Sequence, residues 1–248
     1  MKVAIMVCGH MRTYKECYDN FIKTLILPNA QHEIDVFIAT SSINSGRINL
    51  KPTIPPMGEI TFDKKYYQGH GLIYEIEKEK IKSEIKKTYK NKNFTLKEVF
   101  FQDEQIGDNN IDPMSWEWFR RGIFSKPWFC LNSIKNIENY DIIVRTRPDL
   151  ILAKEIKLFD SDELKLFGGW PGDALKYESG KYTADFFAFG NYKNMKTYCD
   201  IHLMKKPIET TSKKHPYNSE NQLMLYIKKN NLNLKYVLKN RREYEVKR

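Results

Sequence analysis

Two arginines and an aspartate fall within five residues at the end of an apolar run, Ile142-Ile143-Val144-Arg145-Thr146-Arg147-Pro148-Asp149. Side chains alternate across an extended strand, so Arg145 and Arg147 share a face, with Asp149 beside them unless Pro148 turns the chain. Guanidinium groups and a carboxylate at the end of a buried strand are costly unless each finds a partner. Two arrangements meet that need. The three groups can neutralise one another as a structural ion cluster, or the arginines can address an anion suited to a bidentate fork, such as a diphosphate. The second is the expectation.

A second group follows the first apolar run, Cys8-Gly9-His10-Met11-Arg12. Gly9 permits close backbone approach, a helix starting here aims its positive end at the same spot, and Arg12 adds a full charge. Such a turn suits a phosphate or the edge of a nucleobase. With one glycine it is not the G-x-G-x-x-G fingerprint of dinucleotide-cofactor proteins, and an ordinary strand-to-helix turn fits it equally. Thr40 closes Asp35-Val36-Phe37-Ile38-Ala39-Thr40 and sits where a ligand hydroxyl or base would be met. Asp35, at the other end, reads as structural.

These residues need a scaffold. Residues 2–7 and 34–39 are rich in valine and isoleucine, as strands buried on both faces are, and residues 140–146 read as the central strand, fourth in chain order. Tyr14, Cys17, Tyr18, Phe21 and Leu25 recur at helical spacing over residues 12–27, and Pro28 is expected to stop that helix. Residues 40–71, aperiodic and rich in Ser, Asn, Pro and Gly, read as a long loop, and residues 72–91 as a helix. A strand over 94–101 follows, then a helical stripe over 114–137 that Pro127 kinks or divides. Short strands at 164–167 and 185–189, helices at 192–204 and 219–229, and a strand at 232–238 complete the order.

Strands alternating with helices predict a single α/β domain, Rossmann-like, with a mostly parallel central sheet flanked by helices. Its first half (1–150) is doubly wound; its second half (151–248) carries the remaining strands and a basic tail. In such sheets ligands bind beyond the carboxyl ends of the strands, where strand order reverses. The residues after the first, second and fourth strands therefore form the candidate site.

Composition narrows the partners. Among 248 residues, 41% hydrophobic and 29% charged with 12 Gly and 10 Pro, no collagen-like, low-complexity or wholly disordered class fits. No run approaches the ~18 apolar residues of a membrane span. The first residues lack a basic leader, a long apolar core and a small-residue cleavage site, so a cytoplasmic protein is expected. Cys8, Cys17, Cys130 and Cys199 lie far apart without CxxC spacing, which argues against a disulfide framework or zinc site. Cys8 and Cys130 read as small core residues. Lys and Arg number 41 against 31 acids, a net charge of +10 that suits nucleic acid, an anionic membrane face or anionic small molecules. The lysines of residues 75–92 are interleaved with Glu75, Glu77, Glu79 and Glu84 and read as a solvated helix face. The tail, residues 235–248, reads as a solvated segment, with peripheral membrane contact as the alternative. Aromatic residues mostly fit core stripes rather than the basic clusters, which argues against nucleic acid. His202 and His215 read as surface or satisfied histidines.

Five segments in order, CGHMRTY, DVFIAT, YDIIVRTRPDL, DFFAFG and SENQLMLYI, are spread from residue 8 to residue 227, a range that takes in most of the chain. Together they resemble glycosyltransferases of the GT-A fold, of the polysaccharide-building type found in bacteria and large DNA viruses. The resemblance implies transfer of a sugar from a nucleotide-diphosphate donor, UDP- or GDP-linked, to a hydroxyl of a glycan acceptor. In that family an Asp-x-Asp type motif after an apolar strand holds a divalent ion, Mg²⁺ or Mn²⁺, against the donor diphosphate. Here Arg147-Pro148-Asp149 stands at that place, so Asp149 is the candidate metal ligand, and Arg145 and Arg147 can supply positive charge instead. A literal Asp160-Ser161-Asp162 lies in a polar connection and reads as a surface turn.

By the same resemblance, Cys8, Gly9, His10, Arg12 and Thr40 would grip the nucleotide. The glycine-rich turn from Gly168 to Asp173 offers Asp173 as a polar contact, and Trp170 as a stacking face for sugar or as core. Asp185, opening DFFAFG, or Glu220, after Ser219, becomes the base that deprotonates the acceptor hydroxyl. Glu220 is otherwise a first-turn acid favoured by the helix dipole, with Ser219 as N-cap. Two further readings stand beside this one: a nucleotidyltransferase of similar architecture, and a non-catalytic basic α/β module that binds polyanions.

Overall fold

The computed structural model describes residues 1–11, 13–47, 64–68, 71–75, 77–102, 116–168, 183–209, 219–238 and 243–247. In chain order the strands are β1 (Lys2–Cys8), β2 (Glu33–Thr40), β3 (Ile43–Arg47), β4 (Lys64–Gln68), β5 (Gly71–Glu75) and β6 (Thr95–Phe101). They continue with β7 (Ile142–Thr146), β8 (Leu150–Leu152), β9 (Leu164–Gly168), β10 (Thr183–Gly190), β11 (Leu234–Leu238) and β12 (Tyr244–Val246). The helices are α1 (Tyr14–Phe21), α2 (Lys78–Thr88), α3 (Trp116–Phe119), α4 (Ser125–Ser133), α5 (Tyr192–Cys199) and α6 (Ser219–Lys229).

Seven strands join in one sheet of order β11-β9-β10-β7-β1-β2-β6, all parallel to β1 except β10. From β1 the chain steps to β2 and β6 on one side and then returns to β7 on the other. Strand order therefore reverses between β1 and β7, whose carboxyl ends flank the switch point. Those ends are level, since Cys8 pairs with Ala39 and Val7 with Thr146.

Alternation along β1 divides the core into two layers. Val3, Ile5 and Val7, with Val36, Ile38 and Val144, pack against Tyr14, Phe21 and Ile81 on the α1 and α2 side. Ala4, Met6 and Cys8, with Phe37, Ala39 and Ile143, pack against Leu131, Tyr198 and Leu223 on the α4, α5 and α6 side. Both faces of β1 are buried, and this is why its sequence is a near-continuous apolar run. Strands β9, β10 and β11 extend the same sheet, so the two halves of the chain share one α/β domain.

Departures from the sequence expectation have local causes. Part of the expected long loop forms β3 and β4, and residues 72–75, expected to open a helix, belong with Gly71 to β5, the middle strand of a three-stranded antiparallel sheet. Its short apolar run is compatible with either state, and pairing on both edges decides it. The helix keeps only residues 78–88. The first helix passes through Pro28: α1 continues as a π-type turn, Ile22–Ile26, and a 3₁₀ turn, Leu27–Asn29, in which an early proline forfeits no needed N–H. Pro127 lies likewise in the first turn of α4, after an irregular π-type stretch, Arg120–Phe124.

The tail is not the solvated segment that its charge suggests. Strand β12 pairs antiparallel with β8, and the buried Tyr244 stacks on Phe167 with ring centroids 5.2 Å apart. Lys86, Lys87, Lys90 and Lys92 are exposed, as a solvated face requires. His202 packs on Trp128 at 5.1 Å between centroids, with Nδ1 3.3 Å from the Arg120 carbonyl; His215 lies outside the described residues. All four cysteines are buried and unpaired. Among the described residues no helix is long and apolar enough to cross a membrane.

The irregular segment 152–158 is laced to the first helix by side chains. Asn29 Nδ2 donates to the Leu25 and Ile156 carbonyls, and its Oδ1 accepts from the Leu158 N–H, all at 2.7 Å. Asn20 pairs with Leu152 in both directions, at 2.8 and 2.9 Å, and the Thr24 carbonyl accepts from the Ile156 N–H at 2.8 Å.

Candidate functional site

The turns after β1 and β7 meet at the switch point. The Gly9 N–H donates to the Ala39 carbonyl at 3.0 Å, which ties the β1 turn to the end of β2. Gly9 has φ 154°, and a Cβ placed there would lie 3.0 Å from Cδ of Pro148. Both the backbone angle and the close approach therefore require glycine. Gly9→Ala is expected to cost about 1–3 kcal/mol through the strained φ and the displaced proline. Urea unfolding should show this as a lowered midpoint with an unchanged slope.

Pro148 and Asp149 do turn the chain, and the three expected charges do not form one cluster. Arg147 donates from Nε and Nη2 to the two Asp149 oxygens, both at 2.7 Å, and lies over the Phe186 ring, 5.3 Å from its centroid. Asp149 is 2% exposed and Arg147 19%. Burial alone works to lower the Arg147 pKa, but the hydrogen bonds and charge of Asp149, with the charge of Asp185, outweigh it and hold the guanidinium above its ordinary value. Two of its five N–H groups serve Asp149, and three remain. Arg145 is buried and donates from Nη1 to the Asp185 main-chain carbonyl, which the Tyr198 hydroxyl also approaches at 3.4 Å. The same turn is tied from a distant part of the chain. The Lys247 N–H donates to the Asp149 carbonyl at 2.8 Å, and the Thr13 hydroxyl donates to the Lys247 carbonyl at 3.3 Å.

Along this edge several buried polar atoms have no hydrogen-bond partner: Thr40 Oγ1, Gln102 Oε1, Arg145 Nε, Asp185 Oδ1 and both amide atoms of Asn221. Thr40 and Gln102 adjoin at the ends of β2 and β6, where the Gln102 N–H donates to the Thr40 carbonyl at 2.9 Å. Antiparallel pairing, with Ala188 level with Arg145, brings the amino end of β10 and Asp185 to the carboxyl edge of β7. Helix α6 leads into β11, which runs parallel to β9, so its amino end and Asn221 face the same edge. An unpaired buried polar atom costs about 1–3 kcal/mol, so a run of them marks a place where a ligand or water completes the set.

Thr40, Arg145 and Asp185 were legible in the sequence; Gln102 and Asn221 were missed. Gln102 is the polar residue directly beyond a strand end, the position where α/β ligands bind. Asn221 stands three residues before the buried Met224, so it is an amide on a core-facing stripe. Of the other expected residues, Cys8 has its thiol in the core layer of Cys130 and Cys199, and only its backbone borders the edge. Burial raises the Cys130 and Cys199 thiols well above their ordinary pKa, as for inert core groups. His10 and Glu220 are half-buried, the latter in the first turn of α6. Arg12, Trp170 and Asp173 lie outside the described residues. Asp35 is structural, accepting from the Tyr140 hydroxyl at 2.8 Å with Lys97 at 3.3 Å. Asp160 and Asp162 are exposed on the connection into β9, at the opposite edge of the sheet.

A divalent ion at Asp149 would have to share both carboxylate oxygens with the Arg147 guanidinium, a like charge beside it. Among the described residues, no group of three or more His, Cys, Asp or Glu is placed to hold a metal. The described donor set does not fit an ion there. A surface groove of about 680 Å³ lies away from this edge, against Asn20, Lys23, Leu152 and Lys157.

Fold and edge together define an α/β protein with unpaired buried polar groups along the carboxyl edge of its sheet; the Tyr14 and Tyr18 hydroxyls, also unpaired, lie on α1. No protein-family model matches the chain, and no curated protein sequence matches it either.

Proposed function

We propose that the protein is a cytoplasmic glycosyltransferase of GT-A type that moves a sugar from a UDP- or GDP-linked donor to a hydroxyl of a glycan acceptor. One observation carries this reading. The five segments behind the resemblance, scattered over the chain, converge on one sheet edge: Gly9 against Pro148 and Ala39, Arg145 on Asp185, and the amino end of α6.

In this reading Gly9 and Thr40, with His10 and Arg12, border the nucleotide. Arg147, fixed in place by Asp149 and Phe186, turns its three remaining N–H groups to the diphosphate and offsets the charge that grows on the leaving group. The acceptor oxygen bonds the anomeric carbon as that carbon's bond to the diphosphate oxygen breaks. The hydroxyl proton passes to Asp185 or Glu220, and a nucleoside diphosphate departs.

Thermal unfolding with UDP-, GDP-, CMP- and dTDP-sugars, each with and without Mn²⁺, tests the reading. At least one sugar nucleotide should raise Tm saturably, by an amount equivalent to about 2.7 kcal/mol at a hundredfold excess over Kd. No response to any of them, with polyanion binding that weakens steeply in salt, would favour the basic binding module instead. A response confined to nucleoside triphosphates would favour a nucleotidyltransferase.

A further inference from the structure

We infer that the Asn221 carboxamide reads a pair of adjacent hydroxyls on the donor's sugar ring; this rests on the sugar-transfer reading above. Asn221 is 2% exposed in the first turn of the eleven-residue α6, and neither its Nδ2 nor its Oδ1 has a hydrogen-bond partner. The next residue shows what a carboxamide in this turn requires. Gln222 Oε1 accepts from the Ile208 N–H at 2.8 Å, and its Nε2 donates to the Ile208 carbonyl at 3.0 Å. One amide is thus met by a donor and an acceptor side by side, while its neighbour keeps the same two needs open at the candidate site.

The chemistry of the missing partner follows from those needs. A phosphate oxygen would satisfy Nδ2 and leave Oδ1 facing negative charge, and a cation would do the reverse. Two neighbouring hydroxyls, each both donor and acceptor, satisfy the amide at both atoms. Such a pair occurs on the ribose and on the sugar of the donor. In the reading above the ribose lies with the nucleotide at the ends of β1 and β2, whereas α6 packs on β10 beyond β7, which leaves the sugar's pair for the amide.

Asn221→Leu keeps the branched outline of the side chain, with bulkier ends, and removes both open needs. The decisive reading is the sugar increment, the Tm rise given by a nucleotide-sugar minus that given by the matching free nucleotide. Wild-type protein should show the increment, and Asn221→Leu should lose it while still responding to the free nucleotide. Asn221→Ala, which also lacks the amide, should lose it too, and serves if the leucine variant does not fold. An increment that both variants retain overturns the assignment of Asn221 alone. A wild-type protein that responds to no nucleotide-sugar overturns the sugar-transfer reading and this inference together.

Discussion

Replacing Asn29 by leucine is expected to destabilise the protein by about 3–5 kcal/mol, although Asn29 lies away from the candidate site. Leucine keeps the branched outline of asparagine, so no cavity opens, and its bulkier ends add to the cost. The substitution instead strips three hydrogen bonds from buried main-chain groups, the Leu25 and Ile156 carbonyls and the Leu158 N–H. Each buried group left without a partner forfeits about 1–3 kcal/mol, and the Leu25 carbonyl, at a helix end, least. Since folded domains are stable by only about 5–15 kcal/mol, such a loss is a large fraction of the total. Urea unfolding of the variant measures it directly. A loss under about 1 kcal/mol would mean that the lacing of segment 152–158 does not hold it in place.

Asp149→Asn should remove about 2–4 kcal/mol of stability and, on the sugar-transfer proposal, activity as well. From the sequence alone Asp149 reads as dispensable for folding. The structure corrects this, because both of its oxygens hold the Arg147 guanidinium. Removing one member of a buried ion pair typically costs about 3–5 kcal/mol, and the partial exposure of Arg147 lowers that here. The pair is separable from activity by a double-mutant cycle. Arg147→Met takes the guanidinium away from the buried carboxylate, Asp149→Leu takes the carboxylate away from the guanidinium, and the double variant should recover most of the stability but, on the sugar-transfer proposal, no activity. Single losses that simply add in the double variant would show that the two side chains are not coupled.

Much of the sheet was legible because β1, β2 and β7 are buried on both faces, which leaves an apolar run that few other environments produce. Helix 219–229 was legible in full from Ser219 and the spacing of Leu223, Met224 and Ile227. Strand β5 was not, since five residues of mixed apolar character fit a helix or a strand until their neighbours are known. Strand β12 was hidden for a related reason: three residues in a basic tail become a strand only through β8, far away in sequence. The site divides in the same way. Residue type and the strand-end rule pointed to Thr40, Arg145, Arg147 and Asp149. That Arg147 turns to Asp149 while Arg145 turns to Asp185 depends on the Pro148 turn and on the β10 register, neither of which is a local property of the chain.

The contacts of Lys247 with Asp149 and with Thr13, 234 positions earlier, also bear on how the molecule is born. On the ribosome the central strands can assemble once β11 has emerged, before that last clasp exists. A nascent chain halted short of Tyr244 would therefore hold a built sheet whose carboxyl edge still lacks this clasp.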